Sequence, residues 1–535
     1  MPMTRGIGRF GLVALLAMAS MAAGRTQTLS GAVKEGDRTA LRAMLREKVD
    51  VNAPGPDGTT ALHWAVRRDD LEAVELLLRA GANATLANRY GVTPLTVACT
   101  NGNATIIEKL LQAGADPNSS TSEGEPAVLT AARTGKLEAV KMLLAHGADP
   151  KATERWRGQT ALMWAAAENH AETVETLLEA GADLKARTDG GFTALLFAAR
   201  AGGIDALKAL LDAGADVNDT IQTGAARNAS AAPPRPAAPP AAGNGQGSNN
   251  NLTQLLQVFN TGIRGRAGPG GTSALVVAIT NAHFELAALL LDRGADPNAD
   301  GQGWTALHQL AWTRRPPIQH GLPPAVLTGT MTSLEFAEKL LQYGADPDAR
   351  MTKEPGDGAR NVLNRICSTP FLQAAKLADV PYMRLLLDYG ADPSIPTVEN
   401  ATPLMAAAGV GIWQLGENAG NNEEAFEAVK LCYERGNDVN AVDVNGDTAL
   451  HGAAHRGANA IVKFLVEKGA KLDVVNTLGW TPWIIADGVF YPNTYNRRLD
   501  TAAFLVQLGA DTKVGKRRPE DLPPNEAQTV KSGQP

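Results

Sequence analysis

Hydrophobic positions along this chain come in pairs of short helical bursts separated by polar turns. Between Gly58 and Tyr90, Ala61, Leu62, Ala65 and Val66 mark one face of a short helix. Leu71, Val74, Leu77 and Leu78 mark one face of a second, with Glu72, Glu75 and Arg79 on its other side. Spacings of three and four residues predict two amphipathic helices, joined by a tight turn at Arg67-Arg68-Asp69. Thr60 is placed to cap the first helix, and Gly81 to end the second by taking a positive φ. Residues 82–90 keep neither period and read as an extended, turn-rich connection.

The pair of bursts then repeats. The opening Gly58-Thr59-Thr60-Ala61-Leu62 returns in variant form at Gly91, Gly124, Gly158 and Gly191, at intervals of 33, 33, 34 and 33 residues. The register resumes at Gly271, Gly303, Cys367, Asn400, Gly446 and Gly479. Each copy closes on a Leu-Leu-x-x-Gly-Ala-Asp-x-Asn ending, as at Leu110 to Asn118. A fixed period in this range predicts stacked units that bury their apolar faces against one another. Thr-Ala-Leu-His stands literally at Thr60–His63, Thr305–His308 and Thr448–His451. On these residues the chain resembles the ankyrin repeat proteins over residues 28–512. The resemblance implies an all-α solenoid of about twelve helix–turn–helix units with β-hairpin-like connecting loops. It further implies that first helices and hairpin tips line a concave groove, and that the protein binds other proteins.

Departures from the repeat set the organisation. Arg5 and Arg9, the apolar run Phe10–Ala19 and the small residues Ser20 to Gly24 have the layout of a secretory signal over residues 1–24. An exported, periplasmic or extracellular protein is expected. Residues 25–219 read as a first block, a capping unit plus five repeats, and 270–512 as a second block of six. Between them, residues 220–269 form a Pro/Ala/Gly/Asn-rich stretch that reads as a flexible linker, and 513–535 form a polar tail. The second block carries extra residues between paired helices at 313–331, 410–422 and 488–497, and a long loop at 350–366. Inserts at one point of the repeat emerge from one edge, and binding specificity is expected there.

Candidate chemistry adds little. The formal charge of −6 argues against a nucleic-acid partner, and no segment after the signal is apolar enough to cross a membrane. His451 and His455 are four residues apart on one predicted helix, but the glutamate that would accompany them in a zinc motif is missing. Asp443-Val444-Asn445-Gly446-Asp447 reads as a hairpin turn, not a calcium loop. No phosphate loop, nucleophile elbow or Cys-x-x-Cys pair is present, so neither a cofactor, a metal nor catalysis is expected. Cys99, Cys367 and Cys432 lie in non-adjacent repeats and read as buried thiols. The expected anchors for a protein partner are aromatic. Trp64, Trp164 and Phe197 stand at the first-helix position that should face the groove, and Tyr90, Phe192, Trp304 and Trp480 stand at hairpin tips. Trp413, Phe490 and Tyr491 mark the insert edge. The expected function is a monomeric exported scaffold, with a secreted effector or inhibitor as the alternative and an unrecognised enzyme as a third.

Overall fold

The computed structural model describes residues 28–222, 270–316, 326–355, 363–412, 420–490, 495–518 and 521–522. Among the described residues 24 helices fall into 12 consecutive pairs, and the one sheet is the two-residue hairpin of Val489–Phe490 and Tyr495–Asn496. The all-α stack of helix–turn–helix units expected from the period is the fold.

The pair at residues 61–79 shows why the motif is spelled as it is. Helix Ala61–Arg67 begins at Thr60, and the chain turns through Asp69 at φ 55° into helix Leu71–Arg79. Asp70 opens that second helix by accepting the Ala73 N–H. Gly81 then stops it at φ 89°. His63 ties the motif together: its Nδ1 accepts the Thr60 N–H at 3.2 Å, and its Nε2 donates to the Val92 carbonyl of the next repeat at 3.0 Å. A carbonyl can only accept, so Nε2 carries the proton. His308 and His451 repeat the arrangement, with Ser368 O at 3.0 Å and Trp480 O at 3.3 Å.

The closing asparagine also spans repeats. Asn118 donates to the Gly147 carbonyl at 3.0 Å and accepts the Asp149 N–H at 2.8 Å. The opening glycine is demanded by proximity, because a Cβ on Gly91, at φ 69°, would strike the Ser122 backbone nitrogen of the following repeat. Cys367 and Asn400 hold the same left-handed turn at φ 65° and 63°. Cys367 is therefore half-buried at a hairpin, not packed in the core as expected, and its N–H donates to Met351 O at 2.8 Å. Cys99 and Cys432 are buried, and burial pushes both thiols up, Cys99 to about 12.

The chain divides into two compact units: unit 1 runs to Thr188 and includes Lys208–Ala213, and unit 2 holds Asp189–Leu207 and everything from Gly214 onward. The division does not fall at the proline-rich stretch. Within unit 2, helix Ala194–Ala201 packs directly on helix Ala274–Thr280. Ile221 N–H donates to Thr272 O at 2.9 Å and Gly271 N–H to Ile221 O at 2.8 Å. The repeats on either side of residues 223–269 thus stack on each other, and those residues themselves lie outside the described ones.

The chain after 513 does more than trail away. Lys516 N–H donates to Gly479 O at 2.8 Å, and Asp521 accepts from the Trp480 indole at 2.9 Å while pairing with Arg518. These residues cover the outer face of the last repeat, the role of a cap in a stacked array.

Candidate partner-binding faces

In unit 1 the equivalent residues of successive first helices form a column, because those helices pack on one another in constant register. The column is Trp64, Val97, Thr130 and Trp164, and all but Thr130 are partly exposed. Three residues further along each helix, on the same face, come Arg67, Thr100, Arg133 and Ala167, with Lys34 in the preceding unit. Lys34 Nζ sits 4.8 Å from the Trp64 ring centroid and the Arg67 guanidinium 5.5 Å from it. Arg133 lies 5.5 Å from the Trp164 ring and pairs with Glu125 at 2.9 Å, and Glu125 also accepts from Thr130 at 2.7 Å. Such cation–ring contacts stabilise by about 0.5–1 kcal/mol at exposed sites.

Two hairpin tips of unit 1 add fully presented rings: Tyr90 is 66% exposed and Trp156 is 64% exposed. Tyr90 was legible in the sequence; Trp156 was missed. Its signal is position: Trp156 stands two repeats after Tyr90 at the equivalent tip. Glu154 takes the turn-forming role of Asn88, accepting the Trp156 N–H at 2.6 Å and the Arg157 N–H at 2.7 Å, and so presents Trp156 as Asn88 presents Tyr90.

Unit 2 treats the same column differently. It opens with Phe192 and Phe197, both half-buried, their ring centroids 5.7 Å apart. Beyond them the column is Val277, Gln309, Gln373, Ala406, Gly452 and Ile485, and all but Gln309 are buried. Gln309 accepts from the Trp304 indole at 3.1 Å and Gln373 from the Trp312 indole at 3.2 Å. Trp304 and Trp312 pack edge to face at 5.6 Å, with Arg365 over Trp312. Val410 lies directly on Gly452, and Leu363 on Gly411, so two loop segments meet over the first helices. Leu363, Val410 and Ile412 are buried accordingly.

Two expected tip aromatics are corrected by this packing. Trp304 is 8% exposed and Trp480 is 2% exposed, so neither presents a ring to a partner. Both directly precede a helix-capping threonine, where the side chain turns back over the helix. Trp304 meets Trp312 and Gln309 there, and Trp480 is sealed by Asp521. Of the column positions of unit 2, expected to face a groove, Phe197 and Gln309 stay partly exposed and the others are covered.

The inserts are anchored at their ends. Glu285 accepts the Met331 N–H at 2.7 Å, and Arg314 and Arg315 pair with Asp379 and Glu424 at 2.7 and 2.8 Å. Phe490 is half-buried in the small hairpin, 5.5 Å from the Tyr495 ring. Trp413 and Tyr491 lie outside the described residues. Val326 and Leu327, near one insert end, are exposed.

A cavity of about 20 Å³, room for one water, lies among Gly409–Gly411, Gly452, Asp447, His455, Asn476 and Ile485. Asp447 accepts from Asn476 at 2.8 Å, and burial pushes its carboxyl up. His451 is held well below the usual imidazole range, at about 4, by burial, and both its nitrogens are engaged by Thr448 and Trp480. It is the repeat's interlocking histidine and offers no free nitrogen to a metal.

Comparison with known proteins places these observations. Family models described as ankyrin repeats (3 copies) match residues 29–121, 122–221 and 417–515, and one described as an ankyrin repeat matches 270–301. Human ankyrin repeat and SOCS box protein 16 is 32% identical over 217 residues, covering 40% of this chain and 42% of that protein. Serine/threonine-protein kinase 12 of Arabidopsis thaliana is 38% identical over 72 residues, covering 14% of this chain and 15% of the kinase. Protein phosphatase 1 regulatory subunit 12A of Mus musculus is 39% identical over 61 residues, covering 11% of this chain and 6% of that subunit. The chain thus spans under half the length of these relatives. Among the described residues no helix is long and apolar enough to cross a membrane.

Proposed function

The chain belongs to the ankyrin repeat family, and on that premise we propose that it is a protein-binding scaffold whose docking surface is the first-helix and hairpin face of unit 1. Ankyrin repeats indicate protein partners, and the fold is typically a non-enzymatic scaffold. The observation that carries the choice of face is the row of partly exposed rings Trp64 and Trp164, with Tyr90 and Trp156 beside them. Rigid aromatic rings on a preformed backbone are the usual anchors of an interface, since they bury much area for little lost freedom. The matching column of unit 2 is filled by its own loops.

Capture experiments test this. Wild-type chain and the Trp164→Ala variant are immobilised side by side, and both are melted. A partner retained by the wild type and lost by the variant, with melting nearly unchanged, supports the reading. Equal retention removes it. A second reading, the insert edge, is favoured by exposed Val326 and Leu327; shortening the three inserts to tight turns should then abolish capture while helicity stays.

Export belongs to the same proposal. Its support is the Arg5 and Arg9 region followed by the apolar run Phe10–Ala19. The mature N-terminus should fall between Ala22 and Gln27, and sequencing that finds Met1 on folded protein from the envelope counts against it.

A further inference from the structure

Charge is distributed unevenly across unit 1. The second helices Leu71–Arg79, Ala104–Gln112, Leu137–Ala145 and Ala171–Glu179 carry seven carboxylates and three cations. Each of those cations has a partner: Arg79 and Lys109 pair with Glu75 at 2.7 and 3.9 Å, and Lys141 pairs with Glu138 at 3.0 Å. The four first helices from Ala61 to Ala167 carry two arginines and no carboxylate.

The first-helix and hairpin face carries cations in excess: Asp57, near enough to Arg89 to feel its charge, Glu123, Glu125 and Glu154 stand among Lys34, Arg67, Arg89, Arg133, Arg155 and Arg157. Arg133 meets Glu125. Among the described residues Lys34, Arg67, Arg89, Arg155 and Arg157 form no ion pair, although the chain as a whole is formally −6. Lys34 and Arg67 lie against the Trp64 ring, and Arg155 and Arg157 flank Trp156 in sequence, so cation and ring alternate along one surface. Cations on a protein of net negative charge gain from meeting their own carboxylates, as the second-helix face shows. Here the same fold leaves Arg89, Arg155 and Arg157 without an ion pair close to the exposed rings of Tyr90 and Trp156.

We propose that this face of unit 1 takes an extended acidic segment of a partner protein, one that alternates carboxylates with apolar side chains. The carboxylates meet Lys34, Arg67, Arg89, Arg155 and Arg157, and the apolar side chains lie on Trp64, Tyr90, Trp156 and Trp164. An excess of cations on the surface and of carboxylates on the ligand raises the encounter rate and disfavours basic competitors. This assignment rests on the reading of unit 1 as the docking face.

The test uses the full chain and three fluorescein-labelled twelve-residue peptides, in which Leu and Phe alternate with Glu and Asp, with Gln and Asn, or with Lys. Anisotropy at low salt should show the acidic peptide bound about ten-fold or more tighter than the neutral one, with the advantage shrinking as salt is added. Lys34→Gln combined with Arg67→Gln changes only exposed side chains and should keep helicity. It should weaken the acidic peptide about ten-fold and leave the neutral peptide unmoved. Neutral or lysine peptides binding as tightly as the acidic one overturn the proposal, as does a single-stranded DNA of the same length that binds in preference. If no peptide binds while Trp164→Ala still abolishes partner capture, the acidic assignment fails and the docking face stands. If Trp164→Ala leaves capture intact, the docking face itself has failed.

Discussion

Trp164 in unit 1 stands four residues after its capping Thr160, Trp480 in unit 2 one residue before its capping Thr481, and the two rings lead opposite lives. The first stands on the column face, half-exposed beneath Arg133; the second precedes the capping threonine and is sealed by Asp521. The contrast extends to whole units. Unit 1 leaves its column open and places large rings in it, whereas unit 2 fills the column with Gln373, Ala406 and Gly452 and lays Val410 and Leu363 on top. A repeat fold therefore does not determine which of its units can receive a partner. That is decided by the volume at one position per repeat and by whether a neighbouring loop already occupies it.

The sharpest way to break the comparison is to truncate both tryptophans. Trp480→Ala should cost roughly 3–5 kcal/mol, because a buried ring leaves a cavity and strips the Asp521 carboxylate of a donor. Trp164→Ala should cost about 1 kcal/mol, mainly one cation–ring contact. Guanidinium unfolding of the two variants measures the gap. Equal losses would mean that Trp164 is as much a core residue as Trp480.

Much of this was legible in the sequence, for a physical reason. The period, the capping threonine and the stop glycine are local or one-repeat signals, and each reappears in the structure at the residue predicted, whereas the recurring histidine of Thr-Ala-Leu-His was visible without its interlock. Cys367 and Asn400 show how far that holds, since both keep a left-handed turn without being glycine. What the sequence concealed depends on contacts between segments far apart in the chain. Trp304 and Trp480 look like tip aromatics until Trp312 and Asp521 are brought to them, and Gly452 looks like a gap until Val410 covers it. The unpaired cations of unit 1 were hidden by the net charge, which averages two faces of opposite character.

Acid should act next, on the interlocking histidines. Burial holds His308 and His451 of unit 2 at about 4, below the ordinary 6.5, and lowers His63 of unit 1 from the same cause. A folded state that resists protonation loses stability as the unfolded chain takes up protons, so the loss develops as pH falls from 6.5 towards 4. A tenfold change in proton affinity between folded and unfolded chain is worth about 1.4 kcal/mol, which puts the contribution of each histidine at up to about 3 kcal/mol. Asp443 and Asp447, raised by burial, act in the opposite sense, and only a difference measurement isolates the histidine. Unfolding free energies of His308→Gln and wild type between pH 7 and pH 4 should converge as pH falls, since glutamine does not titrate. Parallel curves would show that His308 is not the acid-sensitive lock of unit 2.

Filling the closed column is a smaller perturbation. Gly452→Ala places a methyl against the Val410 backbone and should destabilise by about 1–2 kcal/mol, in spite of alanine's better helix propensity. Val97→Ala, at the open column of unit 1, should stay below about 1 kcal/mol, because the side chain is partly exposed already. Thermal melts of both settle it. A neutral or stabilising Gly452→Ala would mean that Val410 yields easily and that the cover over unit 2 is loosely held.

The smallest effect expected is from removing residues 224–247. The repeats at 191–222 and 270–301 are joined without them, through Ile221, Gly271 and Thr272 and through helix Ala194–Ala201 on Ala274–Thr280. Closing a loop costs more the longer it is, but only about 0.6 kcal/mol per doubling, and the deletion roughly halves the 223–269 connection. The shortened chain should therefore be no less stable than the wild type and more stable by at most about 0.6 kcal/mol. Differential scanning calorimetry reads both the midpoint and the number of transitions. If the deletion splits the unfolding of unit 2 into separate transitions on either side of the junction, the excised residues were bracing the stack. The boundary between open and closed columns would then belong at the proline-rich stretch instead of at Thr188.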